Sequence, residues 1–95
     1  MIGLDARPRL ARKARLRFDE HSGKHVLLYP ERGLELSDTA AEIARLLTGQ
    51  NSVAAIVDHL CARHAAEPRA RIEAEALAFL GELAARRLLA EEAPG

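Results

Sequence analysis

Residues Val26–Leu36, V-L-L-Y-P-E-R-G-L-E-L, constrain this chain more than any other stretch. Val26, Leu27, Leu28 and Tyr29 form a β-branched, aliphatic and aromatic run that favours a strand. Pro30 cannot donate to a ladder, and it biases Tyr29 towards extended backbone. Glu31, Arg32 and Gly33 complete a polar turn, with Gly33 free to take positive φ. Leu34, Glu35 and Leu36 then alternate, with both leucines on one face and Glu35 on the other. Ser37 and Asp38 follow and open a helix. The stretch is a seam between strand-like sequence before it and helical sequence after it. Its last strand is a candidate sheet edge.

The rest of the chain reads around that seam. Met1–Pro8 is expected to be a loose arm. Ala14, Leu16 and Phe18 alternate with Arg15 and Arg17 within Arg9–Asp19, a half-buried strand pattern that puts Leu16 and Phe18 in the core. A polar turn containing Gly23 joins it to the strand His25–Tyr29 as a hairpin. Leu34–Leu36 adds a third short strand. The first helix is capped by Ser37 or Asp38, or by a capping box of Thr39 and Glu42, and ends at Thr48-Gly49. Ser52 caps a second helix, whose Val53, Ile56, Val57, Leu60 and Cys61 follow i, i+3, i+4, i+7, i+8. Pro68 suits the first turn of a third helix with the stripe Ile72, Ala76, Phe79, Leu80, Leu83 and Leu88. Gly81 inside it points to a close helix approach or a ligand's passage. The expected fold is α+β and winged-helix-like, an N-terminal three-stranded antiparallel sheet followed by three α-helices. It makes one domain over residues 1–95, ordered from about 7 to 90, with 1–6 and 91–95 frayed.

Composition narrows the function. The 95 residues suffice for one modest core, burying roughly 60–65% of the unfolded surface. Fourteen basic and fourteen acidic residues balance. Even so, Arg7, Arg9, Arg12, Lys13, Arg15 and Arg17 put six positive charges in eleven residues without an acid. Such a run binds phosphates or an acidic protein surface, or simply keeps an edge strand from aggregating. Cys61 is the only cysteine, so no intrachain disulfide forms, and a reducing cytoplasmic setting is expected. It sits on an apolar stripe, which suits a buried structural thiol better than a nucleophile. His59 and His64 are five apart rather than four, and no Cys/His spacing matches a zinc motif, so no metal or cofactor is expected. No signal peptide, membrane span or catalytic constellation is read. The two short helices around Thr48–Asn51 have helix-turn-helix proportions, which keeps a winged-helix nucleic-acid binder as the alternative. Few groups on the second of them are able to read bases.

R-L-R-F-D (Arg15–Asp19), L-L-Y-P-E-R-G-L-E-L (Leu27–Leu36), S-x-T-A-x-E-I-x-x-L-x-x-G (Ser37–Gly49) and S-V-x-x-I-V (Ser52–Val57) together resemble the PqqD family of pyrroloquinoline quinone (PQQ) biosynthesis. The likeness covers about residues 7–90. Ser37 stands where asparagine is expected in many relatives, and serine caps a helix as well. The resemblance implies a non-catalytic peptide chaperone. Such a protein binds the precursor peptide PqqA and presents it to the radical S-adenosylmethionine (SAM) enzyme PqqE, which cross-links a glutamate and a tyrosine of that peptide. It further implies that the peptide adds as a strand to the third strand and lies against the third helix. Gly33, Leu34, Glu35, Leu36, Phe79, Leu80 and Leu83 are then the expected peptide contacts. Arg15, Arg17, Tyr29, Glu31 and Arg32 are the expected contacts with the enzyme. No nucleic acid or membrane partner is expected, and strand exchange makes a homodimer conceivable.

Overall fold

The structure, a computed structural model, describes residues 2–92. In chain order the elements are β1 (Arg7–Leu10), β2 (Arg15–Asp19), β3 (Lys24–Tyr29), β4 (Arg32–Leu36), α1 (Asp38–Arg45), α2 (Val53–Arg63), α3 (Arg69–Ala85) and β5 (Leu89–Glu92). β2, β3 and β4 form an antiparallel sheet in that order, and the three helices follow it, as the alternation and helical periodicities predict.

Register assigns the faces of this sheet. Leu16 pairs with Leu27 and Leu27 with Leu34, so all three share the helix-side face. Leu27 is fully buried there and Leu36 nearly so. Arg15 opposes Leu28, which opposes Gly33, and Arg17 opposes Val26, which opposes Glu35. Those six occupy the outer face. Phe18 does lie on the helix side, but at the strand's end it is 56% exposed, its ring meeting that of His25 edge-on with centroids 5.0 Å apart. The expectation of a buried Phe18 is therefore corrected.

The turns have local causes. Asp19 organises the first hairpin, accepting from the His21 N–H and the Ser22 hydroxyl, both at 3.0 Å. Gly23 closes it with φ of 71°. In the second hairpin the two-residue turn is Pro30-Glu31, and Glu31 takes positive φ (64°) rather than Gly33. Proline at the first central position with positive φ at the second is the type II pattern. Gly33 falls one residue inside β4. A Cβ there would lie 3.3 Å from Val26 Cγ1 and 3.4 Å from Leu28 Cδ2, so its bareness lets those side chains lean across.

Both expected serine caps are present: the Ser37 Oγ accepts from the Ala40 N–H at 3.1 Å, and the Ser52 Oγ from the Ala55 N–H at 3.0 Å. Glu42 takes no part in capping α1. Helix α1 stops at Arg45, ahead of the expected Thr48-Gly49, and Gly49 takes its left-handed φ of 83° in the following loop. Val53, Ile56, Val57 and Leu60 of α2 meet Ile72, Ala76, Leu80 and Leu83 of α3, all buried, in one core with Leu27 and Ile43. Cys61 is half-buried rather than buried. Leu88 is buried beyond the end of α3. Gly81 faces open space, so it marks no close helix approach.

The N-terminal segment departs most from expectation. β1 pairs with β5, joining the two ends of the chain. The Leu10 N–H donates to the Leu47 carbonyl at 3.1 Å, the Gly49 N–H to the Pro8 carbonyl at 3.1 Å, and the Val53 N–H to the Ala6 carbonyl at 2.9 Å. Pro8 is among the fully buried side chains. Arg7 and Pro8 are thus strand rather than loose arm, and the run read as Arg9–Asp19 breaks at a turn closed by the Ala14 N–H and the Ala11 carbonyl (3.0 Å). Glu91 and Glu92 belong to β5, while the frayed ends expected at Met1 and residues 93–95 lie outside the described residues.

Candidate functional site

Strand β4 is an edge of its sheet. The Tyr29–Arg32 pair closes the two-residue turn. Hydrogen-bonding direction alternates along an antiparallel strand, so Leu34 and Leu36 turn their backbone groups to β3. Gly33 and Glu35 turn theirs to the open side. Their side chains alternate in the other dimension, Leu34 and Leu36 towards the helices and Glu35 outward, where it meets Lys24 Nζ at 3.1 Å.

Beside that edge runs an open groove of about 500 Å³. Leu34, Glu35 and Leu36 of β4 form one bank, α1 contributes Thr39, Ala40 and Ile43 next to Ser37, and α3 contributes Glu75, Ala78, Phe79 and Glu82. The floor is apolar. Phe79 is half-buried and packs against the core while its remaining surface meets the groove. Leu80 and Leu83, expected with it, have 0% exposure and belong wholly to the core. One residue is a rotation of about 100° around a helix, which separates Phe79 from Leu80. Glu75 and Glu82 are two helical turns apart and rim the groove. Arg71 Nε holds Glu75 at 3.4 Å, and Arg86 Nη2 holds Glu82 at 3.1 Å. Glu35 is matched by Lys24, so all three rim carboxylates are charge-compensated.

Arg86 also donates to the Tyr29 hydroxyl at 3.3 Å. Tyr29 first and Glu82 second hold its guanidinium above its ordinary pKa. This pins the end of β3 to α3 beside the groove. Tyr29, expected at an enzyme contact, is half-buried; Glu31 and Arg32 are exposed at the turn, and Arg15 and Arg17 are exposed on the outer face.

A strand laid along β4 would sit about 4.8 Å away and send every second side chain into the groove. The site thus offers backbone pairing on one side and apolar contact on the other, the two parts of strand-addition recognition. Among the described residues, no three of His, Cys, Asp and Glu converge as metal ligands. Sequence reading missed Ala40, Ile43 and Ala78, because their part in the groove depends on how α1 and α3 stand against β4.

A second polar cluster lies away from the groove. Glu42 of α1, its side chain only 15% exposed, accepts from Arg63 Nε at 2.8 Å and lies 3.0 Å from His64 Nε2. The hydrogen bond with His64, ahead of that with Arg63, lowers the Glu42 pKa against the opposing effect of burial. The cluster ties α1 to the end of α2.

Comparison with known proteins follows the same lines. The family model for coenzyme PQQ synthesis protein D (PqqD) matches residues 24–89. The PqqA binding protein of Rhodopseudomonas palustris (strain HaA2) is 46% identical over 90 residues, 95% of this chain and 87% of that one. The bifunctional coenzyme PQQ synthesis protein C/D of Methylorubrum extorquens is 48% identical over 82 residues, which cover 86% of this chain and only 22% of that longer protein. The solution structure of the PqqD truncation of Methylobacterium extorquens PqqCD, a functional stand-alone recognition element for ribosomally synthesised, post-translationally modified peptides, superposes with a TM-score of 0.79 at 42% identity. That match covers 95% of each chain.

Proposed function

This chain belongs to the PqqD family, and from that premise we propose that it binds the precursor peptide PqqA along the open edge of β4 and presents it to the radical SAM enzyme PqqE. The protein itself performs no chemistry in this reading, and it works in the cytoplasm. The observation that carries the reading is the coincidence, on one side of one strand, of an unpaired backbone edge and an apolar groove. Leu34, Leu36 and Phe79 supply side-chain contact, and the backbone of Gly33 and Glu35 supplies hydrogen bonds. Leu80 and Leu83 act as core residues that hold α3 in place.

The nucleic-acid alternative has less behind it. On α2, Asp58 is held by Arg69 Nη2 at 2.7 Å and Arg63 by Glu42. Those side chains serve the fold.

Titration of the labelled protein with synthetic PqqA tests the reading. Saturable binding at roughly ten micromolar or tighter, about −7 kcal/mol or better, is expected. Glu35→Pro removes an N–H from the open edge and should lower that affinity at least about tenfold while the fold persists. Absence of binding by the unaltered protein would overturn the reading.

A further inference from the structure

We propose that the outer face of the β2–β3–β4 sheet is the surface on which the modifying enzyme docks, and that a bound peptide strand forms part of that surface. This rests on the strand-addition reading above. Leu28, in the middle of the sheet, is 42% exposed on that face. It stands between Arg15 and Gly33, and its neighbour Val26 stands between Arg17 and Glu35. Because Gly33 has no side chain, Val26 and Leu28 lean across β4. The result is an apolar ridge reaching to the edge where the peptide would join, flanked on its other side by two arginines.

Those arginines differ from the cations that are paired within this chain. Lys24, Arg63, Arg69, Arg71 and Arg86 each hold a carboxylate of this chain. Arg15 and Arg17 are exposed, and among the described residues neither has a side-chain hydrogen bond or ion pair. The fold makes no use of their charge. The surface complementary to this face is an acidic patch with an apolar side chain at its centre, seated against Leu28 above Gly33.

Strand geometry joins this face to the peptide site. Side chains of an added strand alternate between the two faces of the sheet. Half enter the groove, and the other half emerge on the outer face beside Gly33. An enzyme docked there touches Leu28, Arg15, Arg17 and the peptide's outward side chains together. Peptide therefore raises the affinity for enzyme, and linkage requires enzyme to raise the affinity for peptide by the same factor.

The test uses the full chain, PqqA peptide and purified PqqE, with Leu28→Ser and the Arg15→Glu/Arg17→Glu pair. Both changes are at exposed positions, and thermal melts confirm that the variants fold. PqqA affinity should stay within about twofold of the unaltered protein, while PqqE affinity falls about tenfold or more and its enhancement by peptide disappears. The arginine variant's loss should shrink as salt rises, and the Leu28→Ser loss should persist. PqqE affinity unchanged in both variants would overturn the proposal. So would light scattering that gives two chains for the unaltered protein and one for Leu28→Ser, since the face would then serve self-association. Failure of PqqA to bind the unaltered protein would instead overturn the strand-addition reading, and PqqE titration without peptide would still decide the docking face.

Discussion

The sheet has two open edges, and they are built differently. β2 carries Arg15 and Arg17 at alternate positions, with an exposed Phe18 at its end. β4 carries Leu34 and Leu36 at alternate positions, both turned towards α1 and α3, and its only charge within the leucine pair, Glu35, is matched by Lys24. Free backbone groups are common to both edges. What differs is the neighbourhood: β4 has a helix-walled apolar groove beside it, and β2 carries the exposed arginines Arg15 and Arg17. Charge at an edge discourages pairing with another strand. An apolar groove beside an edge rewards it, because the incoming side chains gain burial along with the backbone bonds. In the proposed reading, one small sheet keeps a strand-accepting side at β4 and a strand-refusing side at β2, which leaves the latter to carry recognition by charge.

The largest expected effect removes the support that makes β4 an acceptor. Leu80→Ala, at a position with 0% exposure, should cost about 2–5 kcal/mol and lower the melting temperature steeply. Phe79→Ala, one residue earlier, should lower peptide affinity while costing clearly less stability, because part of that ring already faces the groove. Equal stability losses at the two positions would erase the distinction between core and groove.

Next in size is a change remote from both edges. Glu42→Gln should cost about 1–2 kcal/mol, because it leaves Arg63 and His64 without their carboxylate. The Glu42 pKa is lower in the folded protein than its ordinary value of 4.5. Its contribution is therefore full above that value and is lost as pH falls through the folded-state value. Melting temperatures of the unaltered protein and Glu42→Gln should converge on acidification, with peptide affinity near neutral pH the same in both. A gap that stayed constant with pH would show that the ionised carboxylate is not what stabilises this contact.

Gly81→Ala tests a smaller term in the groove's own helix. A Cβ there meets nothing within 4 Å, so the change should stabilise the protein by up to about 1 kcal/mol through helix propensity alone. The smallest effect belongs to β2. Arg15→Ser with Arg17→Ser should alter stability by no more than about 0.5 kcal/mol, and peptide affinity hardly at all. A marked fall in peptide affinity would place the peptide on the wrong edge for this account.

What could be read from sequence divides along physical lines. Ser37 and Ser52 act on amides three residues away, so both caps were legible. The β3–β4 hairpin was legible from Pro30 and the flanking strand pattern, although the positive φ fell on Glu31 because the turn is two residues long. The β1–β5 ladder was not, because it joins residue 7 to residue 92, the alternation of R-P-R-L is only four residues long and contains a proline, and L-A-E-E does not alternate. The Glu42–His64 contact spans 22 residues, and the sequence holds no local mark of it. Phe18 obeyed the alternation that was read and is exposed nonetheless, since period 2 fixes a face and not how far the core extends along it. For the site, the edge position of β4 was legible. Which of Phe79, Leu80 and Leu83 faces the groove depends on the rotation of α3 about its axis, which only packing sets.

The central claim is that a peptide strand pairs with the backbone of β4 and not with that of β2. Amide hydrogen exchange followed by NMR, with and without saturating PqqA, tests it residue by residue. The Gly33 and Glu35 amides should exchange readily in the free protein and become strongly protected with peptide bound, while the amides of Arg15–Asp19 keep their rates. Protection arising along β2 would contradict the account, and so would bound peptide that leaves Gly33 and Glu35 exchanging as before.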